Sequence, residues 1–564
     1  MTTHENDPIV TTARAWLVQD PDETTRSELD TLVRDAEAGS EIALDELHSR
    51  FDSRLAFGTA GLRGRIGAGS ARMNRVLVAQ AAVGLGRFLL EREEAPSVVI
   101  GYDGRTNSDV FARDTAELLA GAGVRAILLP RLLPTPVLAF AVRHLNASAG
   151  VMVTASHNPP KDNGYKVYLG GDDAGSQIVP PVDSEIAAHI ERVANDDSVL
   201  ELPRRTDYEI ADESVLDAYV AAASALLPEG GERLEVVYTA MHGVGWETFR
   251  RVLAAAGWGE VASVPEQQEP DAAFPTVSFP NPEEPGALDL AFSLARDTGA
   301  ELIIANDPDA DRMSIAIPDG DSPEGYRQLT GNEVGWLLGW DAARRASATG
   351  ETGGALACTI VSSPALAKVA EKYDLRFVET LTGFKWVSRV PRLVFGYEEA
   401  IGYLVNPDVV RDKDGITAGI AFLALAADAK AEGLTVADLL EGFTETFGFF
   451  ASDQLSVRVT DLSIIAAIMA ELRQNPPQVL GEQVVTRIDD FANGLQGLPA
   501  TDALRFVLED GSRVMARPSG TEPKLKYYID VTAPAGERDR AREVLAGIRS
   551  DLDAFSKNVA ARLG

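Results

Sequence analysis

A chain of 564 residues, 45% of them hydrophobic and 24% charged, has the balance of an ordinary globular protein and more length than one core uses. Wholesale disorder, a fibrous repeat and a single small domain are excluded. The 52 Lys and Arg against 85 Asp and Glu leave a net charge of −33, which repels nucleic-acid phosphates and anionic lipid, and the one cysteine, Cys358, rules out an intrachain disulfide framework or a cysteine-rich zinc site.

In chain order, the first chemical feature is Phe57-Gly58-Thr59-Ala60-Gly61-Leu62-Arg63-Gly64. Its glycines allow close backbone approach and Arg63 can reach an anion, but the G-x-x-x-x-G-K-[ST] pattern of a P-loop is lacking. Residues 76–90 and 110–119 carry apolar side chains at mixed three- and four-residue spacing, which predicts helices packed on a sheet. Short β-branched runs at 98–100, 151–153, 236–238 and 302–304 each end in a polar or Gly-rich loop, the rhythm of parallel α/β units. In such units ligand loops fall at the carboxyl ends of the strands. The apolar stretch 416–427 is shorter than the roughly 20 residues of a membrane span and reads as a buried helix. Polar or Pro-rich stretches at 195–207, 319–326 and 430–435 divide the chain into four parts: 1–205, 206–322, 323–435 and 436–564.

The segment Val153-Thr154-Ala155-Ser156-His157-Asn158-Pro159-Pro160-Lys161-Asp162-Asn163-Gly164-Tyr165-Lys166 cannot continue a regular strand through Pro159-Pro160, so Ser156 sits on a strand-end loop. A serine hydroxyl becomes a nucleophile when a neighbour takes its proton, and phosphoryl transfer needs cations around the developing charge; His157, Lys161 and Lys166 are close in sequence. A hydrolase elbow is excluded, because Thr154 and Asn158 stand where its glycines belong.

Directly after 302–304 comes Asn306-Asp307-Pro308-Asp309-Ala310-Asp311-Arg312. Three carboxylates at i, i+2 and i+4 share one side, yet in an extended strand they would be ~6.6 Å apart, too far to share one ion. The backbone is therefore expected to curl and set three oxygens around a hard cation such as Mg²⁺. Arg312 and Pro318 occupy the positions an EF-hand reserves for glycine and glutamate, which excludes that motif.

Further on, Gly396-Tyr397-Glu398-Glu399-Ala400-Ile401-Gly402-Tyr403, with Thr382-Gly383-Phe384-Lys385 upstream, offers carboxylates and tyrosines to sugar hydroxyls and a ring. A glycosidase pair at Glu398-Glu399 is disfavoured, since adjacent strand residues face opposite ways. Last, Arg517-Pro518-Ser519-Gly520-Thr521-Glu522-Pro523-Lys524-Leu525-Lys526 brings an Arg fork, two hydroxyls, backbone N–H groups near Gly520 and two lysines, the donors a phosphate dianion needs.

These five segments in this order resemble the α-D-phosphohexomutase superfamily, which includes phosphoglucomutases and phosphomannomutases, over about Phe57 to Asp530. The resemblance implies three related mixed α/β sandwich domains and a smaller C-terminal α+β domain of the TATA-box-binding-like kind, around a central cleft. It implies Ser156 as phosphoserine, with Ser156, Asp307, Asp309 and Asp311 as Mg²⁺ ligands. Arg63, His157, Lys166 and Arg312 are the nearest donors by motif, with Lys166 or His157 as the proton-transfer group. Lys385 and Glu398 would contact the sugar, and Arg517, Ser519, Gly520, Thr521 and Lys526 would grip the phosphate that is not reacting.

The expected activity is a mutase interconverting sugar 1-phosphate and 6-phosphate, glucose first, through a bisphosphate such as glucose 1,6-bisphosphate that also serves as activator. The expected partner is a small phosphosugar, with no nucleic acid and no membrane, in a cytoplasmic monomer or homodimer; the N-terminus, with His4, Glu5, Asn6 and Asp7, lacks the pattern of a signal peptide. Ala400 departs from the serine usual in glucose- and mannose-handling members, and the Glu-Glu-Ala-Ile-Gly-Tyr and Thr-Leu-Thr-Gly-Phe-Lys segments look more like the branch containing phosphopentomutase and glucose-1,6-bisphosphate synthase. Pentose phosphate and mannose phosphate therefore stand as alternatives. A Mg²⁺-dependent sugar phosphatase is the alternative of a different class, against which the two separate anion sites, Arg63 with Lys166 and Arg517 with Lys526, speak.

Overall fold

All four β-branched runs lie inside strands of a computed structural model: Ser97–Tyr102, Ala149–Val153, Val236–Thr239 and Leu302–Asn306. The structure describes residues 7–228, 231–459, 461–495, 497–519 and 524–562, and the chain divides into two compact units. One comprises Met1–Gln328 with Asn406–Ala424, the other Leu329–Val405 with Leu425–Gly564.

The first unit opens with three helices, Pro8–Gln19, Glu23–Glu37 and Glu41–Phe51, whose first turns are capped by the side chains of Asp7, Asp22 and Ser40. Its first sheet runs in the order Leu62–Arg65, Asp162–Leu169, Ala149–Val153, Ser97–Tyr102, Arg125–Leu128, Glu209–Ile210. The last four strands are parallel, as a continuous apolar run covered on both faces should be. Val98, Val99 and Ile100 are fully buried, each contributing about 1.5–3 kcal/mol. The two leading strands are antiparallel additions, so the sheet is mixed where the strand rhythm alone predicts parallel units.

The second sheet repeats this plan. Val236–Thr239 is parallel to Leu302–Asn306 and to Ala262–Ser263, with Met313–Pro318 and Tyr326–Gln328 antiparallel at one edge. The stretch 319–325, polar and Pro-containing, is the turn of that edge hairpin, closed by Asp319 N–H on the Gly325 carbonyl, and the sheet continues to Gln328.

In the second unit, Arg376–Thr380, Ala355–Thr359 and Leu393–Glu398 are parallel and Gly402–Leu404 closes the sheet antiparallel. The remaining sheet is antiparallel throughout, in the order Phe449–Arg458, Lys524–Ala533, Arg513–Pro518, Leu504–Leu508, Gln483–Asp490, Val479–Leu480. The helices Leu462–Gln474 and Arg538–Ala561 bury their apolar stripes against it. Three α/β sheets with one antiparallel edge each and one antiparallel C-terminal sheet make a four-domain α/β architecture. The apolar stretch at 416–427 lies in the helix Gly415–Ala431 and is buried throughout, and no helix among the described residues is long and apolar enough to cross a membrane.

Candidate active site

Ser156 follows the strand Ala149–Val153 with φ 51°, a left-handed conformation that a serine adopts only when its surroundings hold it there. Those surroundings are visible. Its N–H donates to Thr154 Oγ1 at 2.8 Å, and the buried Arg105 donates to the carbonyls of Ser156, Asn158, Pro159 and Asp162 at 2.5, 2.6, 2.9 and 3.1 Å. One guanidinium thus ties together the carbonyls of a loop whose two prolines bring no backbone N–H donors of their own. The serine hydroxyl, buried, donates to Asp307 Oδ2 at 2.7 Å, and His157 Nδ1 lies 3.2 Å from Ser156 Oγ.

The aspartates leave the strand Leu302–Asn306 in a tight curl. Ala310 takes φ 55°, its N–H donates to the Asp307 carbonyl at 2.8 Å, and Arg312 N–H donates to Asp307 Oδ1 at 3.0 Å. One oxygen from each of Asp307, Asp309 and Asp311 lies within 4.8 Å of the others. All three are buried, so the charge must be answered locally. Lys166 Nζ sits between Asp309 Oδ2 and Asp311 Oδ2 at 2.7 and 2.8 Å, and Lys413 Nζ reaches Asp311 Oδ2 at 3.2 Å. Thr135 Oγ1 adds a 2.6 Å hydrogen bond to Asp309. Two buried oxygens, Asp309 Oδ1 and Asp311 Oδ1, have no hydrogen-bond partner. Three clustered carboxylates with two oxygens left over fit a hard divalent cation that takes oxygen ligands and keeps positions for a phosphate.

These charges set the protonation of the site. Burial, then Asp309 and Asp311, push the Asp307 carboxyl well above the ordinary range. Burial acts the same way on Asp311, but Lys166 and Lys413 outweigh it and bring that carboxyl well below. Burial acts against the charged form of Lys166, yet Asp309 and Asp311 hold the ammonium more firmly charged than usual. The His157 imidazole is pushed well below its ordinary value by burial first and by Arg312 and Arg63 second, so it stands neutral.

Arg63 lies on the edge strand Leu62–Arg65, paired in register with Gly164 two residues from Lys166, and donates to Asn158 Oδ1 at 3.3 Å. Arg63, Ser156, His157, Lys166, Asp307, Asp309, Asp311 and Arg312 are therefore gathered in the first unit. Sequence reasoning missed Arg105, Thr135 and Lys413. Arg105 carried a signal, since Gly101-Tyr102-Asp103-Gly104-Arg105 ends a predicted strand as a ligand loop should. Lys413 lies in a charged run just before an apolar helix, and nothing local ties it to an aspartate in another domain.

The second unit holds the other predicted residues. Lys385 is in the short helix Phe384–Val387, entered through Gly383 at φ 105°. Glu398 ends the strand Leu393–Glu398, and Glu399 faces the other way, accepting from Ser362 Oγ at 2.8 Å and Thr359 Oγ1 at 3.2 Å. Arg517 and Lys526 stand directly opposite each other on paired antiparallel strands. Like charges so placed repel unless an anion lies between them. Ser519 N–H donates to the Lys524 carbonyl at 2.8 Å; Gly520 and Thr521 lie outside the described residues.

Comparison with known proteins accords with this geometry. Phosphoglucomutase/phosphomannomutase alpha/beta/alpha domains I, II and III match residues 54–197, 217–320 and 330–447, and the C-terminal domain of the same family matches 455–547. A probable phosphomannomutase of Haemophilus influenzae is 52% identical over 86% of this chain and 99% of its own length. The phosphoribomutase of Saccharomyces cerevisiae is 37% identical over 93% of each chain. Among solved structures, a putative phosphomannomutase from Thermus thermophilus superposes with a TM-score of 0.69 at 25% identity, covering 89% of this chain and 99% of that one.

Proposed function

Because the chain belongs to the phosphoglucomutase/phosphomannomutase family and is a phosphosugar mutase, we propose that it works through a phosphoserine at Ser156, interconverting glucose 1-phosphate and glucose 6-phosphate. The observation that carries this reading is the meeting of a strained, buried serine hydroxyl with Asp307 and His157 at hydrogen-bond distance.

In the first half-reaction the bond from phosphorus to Ser156 Oγ breaks and a bond to a sugar hydroxyl oxygen forms, the hydroxyl proton passing to a base. The bisphosphate that results returns its other phosphoryl group to Ser156 Oγ. His157 Nδ1, neutral and 3.2 Å from that oxygen, accepts and returns the proton, while Lys166 stays charged between two carboxylates. Arg63 and Arg312 offset charge on the phosphoryl oxygens. Asp307, Asp309 and Asp311, with Ser156, would hold Mg²⁺, which supplies charge neutralisation at the transferring group. Glu398 and Lys385 contact the sugar, and Arg517, Ser519, Gly520, Thr521 and Lys526 grip the distal phosphate. A catalytic trace of glucose 1,6-bisphosphate primes the serine.

A second reading, a pentose phosphate substrate, is favoured by two observations: Ala400 offers no hydroxyl to the sugar, and a relative spanning 93% of this chain is named a phosphoribomutase. A missing hydroxyl contact is worth on the order of 1 kcal/mol, enough to change preference. The test is a panel of glucose, mannose and ribose 1-phosphates with Mg²⁺ and a trace of the matching bisphosphate. Isomer from glucose 1-phosphate at the highest kcat/KM is expected, ribose 1-phosphate leading would establish the second reading, and free phosphate without isomer would overturn both.

A further inference from the structure

The second unit contains a buried ion system that the chemistry above does not use. Arg513 and Arg505 share the Glu379 carboxylate at 2.5 and 2.8 Å, Arg505 also holds Asp489 at 2.9 Å, and Arg513 also holds Asp530 at 3.2 Å. The Arg513 guanidinium donates in addition to the Ser362 carbonyl. Its side chain is only 9% exposed. Charges taken so far from water are costly unless each is paired, and breaking one pair is costlier still.

The network joins two loops at the residues beside their chemistry. Glu379 lies on the strand Arg376–Thr380, which runs straight into the Thr382-Gly383-Phe384-Lys385 turn. Ser362, fixed through its carbonyl by Arg513, uses its hydroxyl to hold Glu399, the neighbour of Glu398. On the other side, alternate residues of the strand Arg513–Pro518 share a face, so Arg513, Met515 and Arg517 point the same way. Met515 packs with Ile360, Val361 and Leu381, and the register sets Arg513 opposite Asp530, Met515 opposite Tyr528 and Arg517 opposite Lys526. One stiff two-stranded ladder therefore carries both the clamp and the phosphate-gripping pair, two alternate positions apart.

We propose that Arg513 is a positioning residue that sets substrate length. It fixes the spacing between the sugar contacts at Lys385 and Glu398 and the distal phosphate grip at Arg517 and Lys526, and so discriminates hexose from pentose phosphates. This rests on the phosphosugar reading of the same loops. The two sugars differ by one carbon, a reach of about 1.5 Å, and a displacement of about 1 Å in a bound substrate costs on the order of 100-fold in rate. A clamp that holds the two loops at one separation turns that difference into a preference, and a loosened clamp lets the loops adjust to either length.

The test compares kcat/KM for glucose 1-phosphate and ribose 1-phosphate in the wild type and in Arg513→Lys, whose single ammonium cannot span Glu379, Asp530 and the Ser362 carbonyl. We expect the ratio between the two sugars to move at least tenfold toward unity, chiefly through kcat, with both still turned over. A ratio unchanged within twofold in a variant with wild-type circular dichroism overturns the proposal, as does a wild type that shows no preference. Should Arg513→Lys fail to fold, Arg505→Lys loosens the same Glu379 carboxylate from its far side and is read by the same ratio. A wild type that isomerises neither sugar would instead overturn the glucose and pentose readings of these loops, on which the proposal rests.

Discussion

The Ser156 hydroxyl donates to Asp307 Oδ2 at 2.7 Å across 151 residues of sequence, joining the serine loop of one α/β domain to the aspartate loop of the next. Both groups are buried and neither has a strand partner to explain its place. Asp307→Asn keeps the shape but removes the charge a divalent cation needs. We predict a loss of about 100-fold in kcat and a weaker Mg²⁺ requirement curve, measured by titrating Mg²⁺ into chelator-treated protein. Retained activity after chelation, in wild type, would contradict the metal reading.

Arg105 tests the support beneath the serine. It donates to four carbonyls of the 156–162 loop, a span that one lysine ammonium cannot cover. Arg105→Lys is expected to lower kcat by about 10- to 100-fold while the circular dichroism spectrum stays unchanged, because the strained Ser156 backbone relaxes. Steady-state kinetics beside a thermal melt separate this from simple unfolding.

Gly243 tests the support beneath the aspartates. A Cβ there would lie 2.4 Å from both Pro308 Cα and the Pro308 carbonyl oxygen, and the adjacent Val244 N–H donates to that carbonyl at 2.9 Å. Backbone cannot yield as a flexible side chain would, so Gly243→Ala must shift the loop between Asp307 and Asp309. Mg²⁺ affinity about tenfold weaker is the expected result, read by calorimetric titration of the metal. Unaltered affinity would show that the aspartates hold their places without this contact.

Asp414 gives a pH dependence away from the reacting groups. It accepts from Thr417 N–H and the Tyr219 hydroxyl at 2.9 Å, and burial pushes its carboxyl up to about 6 against the opposing pull of those hydrogen bonds. Between about pH 4, where an unfolded aspartate ionises, and pH 6 the folded chain keeps a proton the unfolded chain has lost. Stability is therefore lost as pH rises through that window, by about 3 kcal/mol. Asp414→Asn keeps both acceptor contacts without the charge. It should match wild type in denaturant midpoint near pH 4 and exceed it at pH 7.5; an equal difference at both would refute the assignment.

Much of the site is legible in local sequence because its chemistry is local. Pro308 with three alternating aspartates demands a curl, and the left-handed Ala310 delivers it. Pro159-Pro160 likewise forces Ser156 off the strand. What the sequence does not show is long-range: Lys413 meets Asp311 and Thr135 meets Asp309 through folding alone, with no spacing to announce either. Strand direction is similarly hidden, since Asp162–Leu169 is nearly as buried as Ala149–Val153 beside it yet runs against it. The 319–325 stretch has the composition of a linker and is a hairpin turn, because turns and linkers favour the same residues.

The central claim is that phosphate resides on one serine during turnover. Protein incubated with a phosphate-labelled sugar bisphosphate, quenched in acid and digested, should carry the label on the peptide containing Ser156, and the Ser156→Ala variant should carry none and isomerise no sugar phosphate. Label on another residue, or isomerisation that persists in Ser156→Ala, would contradict the account.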